Sequence, residues 1–181
     1  VPALAECQAY FERAGVQPIY LVDWPIVTDD RAAEILGAAQ QAGRCEIGGQ
    51  LHPWVRRRHD EEVNVRNSYT GNLPPGLQRA KMTALRDGIR DRFGVQPTAY
   101  RAGRYGLGPH TAAMLAELGF RCDTSVRSGF DYRAGHGPDY RDAPLHPWWV
   151  KAGQGAVLEI PVTTVFGGLF GSAGRGVYHR V

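Results

Sequence analysis

Cys45-Glu-Ile-Gly-Gly-Gln-Leu-His-Pro-Trp54 begins as an apolar, β-type run and ends in polar side chains and a proline. In an extended chain successive side chains alternate faces and rise about 3.3 Å per residue, so Gln50 and His52 project to one side, within reach of one small ion. Pro53 has no N–H to give to a ladder, which stops the strand where His52 is presented and leaves Trp54 to wall one side of a pocket.

Helical and extended patterns alternate on both sides of this stretch. Upstream, Leu4, Cys7, Phe11 and Ala14 have the spacing of a helix over 2–14, and Gly15 follows as its stop. Pro18-Ile-Tyr-Leu-Val22 reads as a buried strand ending at Asp23-Trp24-Pro25. Thr28 is expected to cap the next helix, with Asp29 and Asp30 in its first turn, Ala32, Ile35, Leu36 and Ala39 on its inner face and Gly43 at its end.

Downstream, residues 55–75 show no period and form a long polar loop, a length that compact domains tend to reserve for function. A helix is expected from about Gly76 to Phe93, with Leu77, Met82, Leu85, Ile89 and Phe93 facing inward. A strand near Thr98–Arg101, a helix over 109–118, a strand-like run Phe120–Val126, a second long loop Arg127–Lys151 and a last strand Ala156–Ile160 follow. The tail from Phe166 is glycine-rich and carries no readable period.

This alternation predicts parallel strands joined by right-handed crossovers, either as a barrel or as an open doubly wound sheet. Both place sites at the C-terminal strand ends, where Asp23, His52, Arg101 and Asp123-Thr-Ser125 fall.

The 181 residues, 43% hydrophobic and 22% charged, fit a single globular domain over 1–181 with a sizeable core. Val1 is not a methionine and stands just ahead of a helical pattern, so the chain is expected to be a piece of a longer protein. Net charge is +3, and its arginines are spread along the sequence, which argues against a nucleic-acid binder. Arg56-Arg57-Arg58 is followed by His59-Asp60-Glu61-Glu62 and reads as a solvated, self-compensating loop, with His59 at the surface. Cys7, Cys45 and Cys122, odd in number and widely spaced, read as small core residues of a protein in a reducing compartment, so a cytoplasmic location is expected. No run approaches the length of a membrane span.

Tyr100-Arg-Ala-Gly-Arg-Tyr-Gly-Leu-Gly-Pro109 runs from a strand into a helix and has the look of a phosphate loop, but its glycines are in the wrong order for a dinucleotide fingerprint and no Lys-Ser/Thr pair follows. Arg101 and Arg104 could each hold a carboxylate in a two-point contact.

Together, Glu46–Trp54, Phe93-Gly-Val-Gln-Pro97, Tyr100-Arg-Ala-Gly-Arg-Tyr-Gly106, Leu118-Gly-Phe-Arg-Cys-Asp-Thr-Ser-Val126 and Leu158-Glu-Ile-Pro-Val162 resemble the NodB-homology polysaccharide deacetylases (carbohydrate esterase family 4). The similarity is nearest to their WalW-like branch, which is linked to lipopolysaccharide synthesis. The resemblance spans most of residues 4–165 and implies a distorted (β/α) barrel, incomplete at both ends. It also implies metal-dependent removal of N-acetyl groups from a cell-surface polysaccharide or lipopolysaccharide precursor.

In that family an aspartate and two histidines hold a divalent metal, with zinc the expected one here. A second aspartate is the base, an arginine orients it and a later histidine is the acid. His52 matches the second metal histidine and Arg101 the arginine, while the first histidine falls on Gln50, whose neutral amide is a poor zinc ligand. The two-aspartate segment belongs on a strand ahead of residues 2–14 and is not in this sequence, and His179 lacks the pattern around the acid histidine. The resemblance thus assigns His52 and Gln50 to the metal, Arg101 to catalysis, and Trp54, Tyr105 and Asp123 to an N-acetylated carbohydrate. Two other readings stay open: a catalytically silent carbohydrate-binding relative, which Gln50 favours, and a phosphate-binding α/β protein.

Overall fold

The repeating pattern becomes one sheet covered by helices. A computed structural model describes residues 2–55 and 60–164, so Arg56–Arg58, His59 and His179 lie outside the described residues. Its elements are α1 (Pro2–Arg13), β1 (Ile19–Val22), α2 (Trp24–Thr28), α3 (Asp30–Gln41), β2 (Glu46–Leu51), α4 (Pro75–Phe93), β3 (Ala99–Ala102), α5 (Thr111–Glu117), β4 (Cys122–Asp123), β5 (Trp148–Ala152) and β6 (Gly155–Glu159). Gly94 ends α4 at φ +71, a conformation that L side chains rarely adopt.

The sheet runs β1-β2-β3-β4-β6-β5. β1, β2, β3, β4 and β6 are parallel, and β5 returns antiparallel to β6. Space follows chain order with no switch point, which sets aside the doubly wound arrangement. Among the described residues the sheet is open, with β1 and β5 as its edges.

Register divides the strands into two faces. Ile47, Tyr100, Asp123, Val157 and Glu159 share one face, and Gly49 belongs to it as well. The helices pack there. A side chain at Gly49 would meet Leu85 and Ile89 of α4, Gly155 faces Ala116 of α5, and Tyr20 donates its hydroxyl hydrogen to Gln8 of α1. Leu36, Met82, Leu85, Ile89, Phe93 and Leu115 form the core with the strands. Leu21, Gly48, Gln50, Arg101, Cys122 and Leu158 share the opposite face, joined at its margins by Ile19 and Trp149, which are 52% and 68% exposed.

Several expectations are corrected. Among the described residues β1 is an edge strand with β2 as its one partner, and it is only partly covered instead of buried. Asp29, one residue past Thr28, caps α3 by accepting from the Ala32 N–H at 2.7 Å, because the Thr28 hydroxyl is already donated to Trp24 O at 3.0 Å to close the short helix α2. Of the cysteines only Cys45 is buried: Cys7 of α1 is exposed and Cys122 is half-buried on the open sheet face. The strand expected over Phe120–Val126 shrinks to Cys122–Asp123, and the second loop contains β5. No described helix is long and apolar enough to cross a membrane.

Ile89 is fully buried between α4 and the sheet, whereas Ile19 is half open at the sheet edge. Ile89→Ala is expected to lower unfolding stability by about 2–5 kcal/mol and Ile19→Ala by under about 0.5 kcal/mol, read from paired urea titrations.

Candidate functional site

Because β1 to β4 are parallel, their C-terminal ends gather on one rim. Gln50 pairs in register with Arg101, so their side chains stand next to each other on the face away from the helices. His52 follows β2 at the same rim, and its ring is a quarter exposed. Arg101 is held by the end of β4, its Nε donating to Thr124 O at 3.0 Å and an Nη to Thr124 Oγ1 at 3.2 Å. Among the described residues it has no ion pair, so the carboxylate that it was expected to orient is not among them.

The chain leaving β2 is tied down on its helix side. Lys81, 2% exposed on α4, donates to Pro53 O at 3.2 Å and pairs with Glu61 at 3.0 Å. The Thr70 hydroxyl donates to Leu51 O at 3.2 Å. Trp54 then projects from a short 3-10 turn, 41% exposed.

The segment after β3 is strained. Arg104 and Tyr105 adopt φ of 55° and 60°, where a side chain crowds the backbone. Neighbours hold them there: the Arg104 guanidinium lies 4.3 Å over the Tyr69 ring and donates to Ser68 Oγ at 2.5 Å, and Tyr140 donates its hydroxyl hydrogen to Tyr105 O at 2.5 Å. Tyr105 is stacked at 5.8 Å on Tyr132, which half-covers the ring expected to meet a sugar. Within the loop, Gly106 N donates to Gly103 O at 3.1 Å, Leu107 N to Tyr105 O at 3.1 Å and Gly108 N to Thr111 Oγ1 at 2.9 Å, so these three N–H groups are engaged by the loop and by α5.

Asp123 does not join this rim. It is 4% exposed on the opposite, helix-covered face of the sheet, away from the Arg101 side chain. The sequence reading noticed Asp23 at a strand end but gave it no partner. In the fold its Oδ2 lies 3.2 Å from His52 Nδ1. Strand pairing brings them together: Val22 is level with Gly49, so Asp23 comes level with Gln50 on the face that His52 shares.

Among the described residues no three His, Cys, Asp or Glu side chains gather to hold a metal. The rim offers one imidazole and the Gln50 amide oxygen, and Asp23 is engaged with the imidazole. A catalytic zinc uses three protein ligands, so these residues do not complete its site.

The fold is that of an α/β domain with a mainly parallel sheet. Over 88% of its length the chain superposes on a Mycobacterium smegmatis protein described as a polysaccharide deacetylase, with TM-score 0.61, 21% identity and 45% of that chain covered. It also matches a 4-alpha-glucanotransferase from Thermococcus litoralis, with TM-score 0.61, 12% identity and coverage of 89% of this chain and 23% of that one. PuuE allantoinase gives TM-score 0.56 and 18% identity over 90% of this chain and 44% of that one. The chain therefore spans less than half the length of each. No family model and no curated protein sequence matches it.

On the helix-covered face, Asp123 and Glu159 stand level on adjacent strands, 4% and 1% exposed, at the wall of a cavity of about 220 Å³ otherwise lined by apolar groups such as Leu107, Val126 and Trp148. Ser125 Oγ donates to Asp123 at 2.5 Å and Val126 N to Glu159 at 2.9 Å. Burial raises both carboxyl pKa values, and the neighbouring Asp123 charge raises Glu159 further. A raised folded-state pKa means that the pair's stabilisation is complete below the ordinary carboxylate range and is lost as pH climbs toward the folded value. Glu159→Gln keeps the shape and hydrogen bonds of the neutral acid without titrating. Its melting temperature relative to the parent chain is expected to rise between about pH 5 and about pH 9 in thermal unfolding followed by circular dichroism. A difference that stays constant with pH would mean that Glu159 ionises in the fold as it does when free.

Proposed function

We propose that this chain is part of a hydrolase of the polysaccharide deacetylase kind, cleaving the C–N bond of N-acetyl groups on a cell-surface polysaccharide or lipopolysaccharide precursor. The observation that carries this reading is the placement of His52 and Arg101 at adjacent strand ends on the open sheet face, in a fold shared with a protein described as a polysaccharide deacetylase and with an allantoinase. The fold alone would not choose this chemistry, since a glucanotransferase has it too.

In this reading His52 contributes an imidazole nitrogen at the rim, and Arg101, held by Thr124 at the end of β4, orients the base carboxylate of the whole protein. Trp54, the more open of the two expected rings, packs on a sugar face, and Tyr105 borders it. A divalent ion, zinc first, belongs to this reading as a cofactor of the whole protein. It would polarise the acetamide and activate water, with His52 and Gln50 the donors that this chain offers toward it. We place the whole protein in the cytoplasm.

A second reading, a silent carbohydrate-binding relative, is favoured by the incomplete donor set at the rim. In the full-length protein, acetate release from N-acetylated sugar oligomers decides between them. His52→Ala and Arg101→Ala are each expected to lower kcat/KM by about 100-fold or more. Sugar binding that survives a chelator, with no acetate released, supports the silent relative.

A further inference from the structure

His52 is constrained on three sides. Its Nδ1 lies 3.2 Å from Asp23 Oδ2. An ionised carboxylate only accepts hydrogen bonds, so the hydrogen of this contact belongs to Nδ1. A neutral imidazole carries one N–H, and Nε2 is then the nitrogen left with a lone pair.

The opposite edge of the ring is set against the backbone of residue 103. A Cβ there would fall 2.5 Å from His52 Cδ2, 3.0 Å from its Cγ and 2.6 Å from Leu51 O, so only glycine admits the ring in this pose. The main chain on either side is fixed as well, with Leu51 O accepting from Thr70 and Pro53 O from buried Lys81. The ring therefore has little room to turn toward another partner.

We propose that Asp23 is a positioning residue that holds His52 as the Nδ1–H tautomer, so that the imidazole acts through Nε2. The purpose of this arrangement rests on the hydrolase reading above, because a base or a ligand must present its lone pair to the reacting centre. The tautomer itself does not depend on that reading. A carboxylate behind an active imidazole both chooses the nitrogen that works and fixes the plane of the ring.

The test is a two-bond proton–nitrogen correlation spectrum of the 181-residue chain labelled with nitrogen-15 histidine, at a pH where the ring is neutral, with His52→Gln assigning the signals. The parent chain should show His52 Nδ1 as the protonated, pyrrole-like nitrogen and Nε2 as the pyridine-like one. In Asp23→Asn the amide can donate to Nδ1, so the pattern should invert or average, and Asp23→Glu should move it back toward that of the parent. An Nε2–H tautomer in the parent chain overturns the proposal, as does an unchanged pattern in a folded Asp23→Asn protein.

If Asp23→Asn does not fold, the parent spectrum decides alone. In the full-length enzyme Asp23→Asn should lower kcat by about 10- to 100-fold with KM little changed. The Nδ1–H tautomer in a full-length protein that releases no acetate would sink the hydrolase reading and leave Asp23's role standing. Acetate release with the opposite tautomer would do the reverse.

Discussion

The parallel ladder between β2 and β3 sets most of the geometry at the rim, because it places Gln50 level with Arg101 and Leu51 level with Ala102, so both chains leave the sheet at one height. Two residues later the polypeptides pass so closely that one must be glycine. At Gly103 the missing side chain makes room for the His52 ring and the Leu51 carbonyl together. Moving β2 by one residue would turn Gln50 toward the helices and the core residue Leu51 toward the open face. The polar chemistry is thus fixed by the same hydrogen-bonded ladder that fixes the core.

The two sheet faces divide the labour. Helices seal one face with Leu, Ile and Phe side chains, and there even the acidic pair Asp123 and Glu159 is held dry. The other face carries Gly48, the Gln50 amide, the Arg101 guanidinium and the partly exposed imidazole of His52. Burial is costly for charge and cheap for hydrocarbon, so a residue's parity along its strand decides whether it can take part in chemistry with solvent. Cys122 and Asp123 are neighbours in sequence on opposite sides of that divide, and so are Tyr100 and Arg101.

The helices and most strands were legible in the sequence because each buries one repeating face. Met82, Leu85, Ile89 and Phe93 announce α4, and Gly94 marks its end. The capping of α3 was legible to within one residue, since Thr28 and Asp29 are equally able caps and a short helix ahead of them had already claimed the threonine. α2 itself was too short to show a period, and β5 was hidden because it lies at an edge with alternate residues open to solvent. At the rim His52 and Arg101 were legible as types at strand ends, and the side of the sheet that Asp123 faces was not. The Asp23–His52 contact, the buried Lys81 beside Pro53 and the packing at Gly103 depend on which strands become neighbours, which local pattern does not encode.

The strand order has a bearing on how the chain reaches this arrangement. β1, β2, β3 and β4 lie in space in the sequence in which a ribosome would deliver them, so each new strand pairs with the one made just before it. Only β5 breaks this succession, since its one partner, β6, is made after it. The two are joined by Gly153 and Gln154, with Gly153 at φ +62, a turn tight enough to zip locally before docking. The strand order thus allows stepwise growth over four strands, and the β5–β6 hairpin is joined to them through the pairing of β6 with β4.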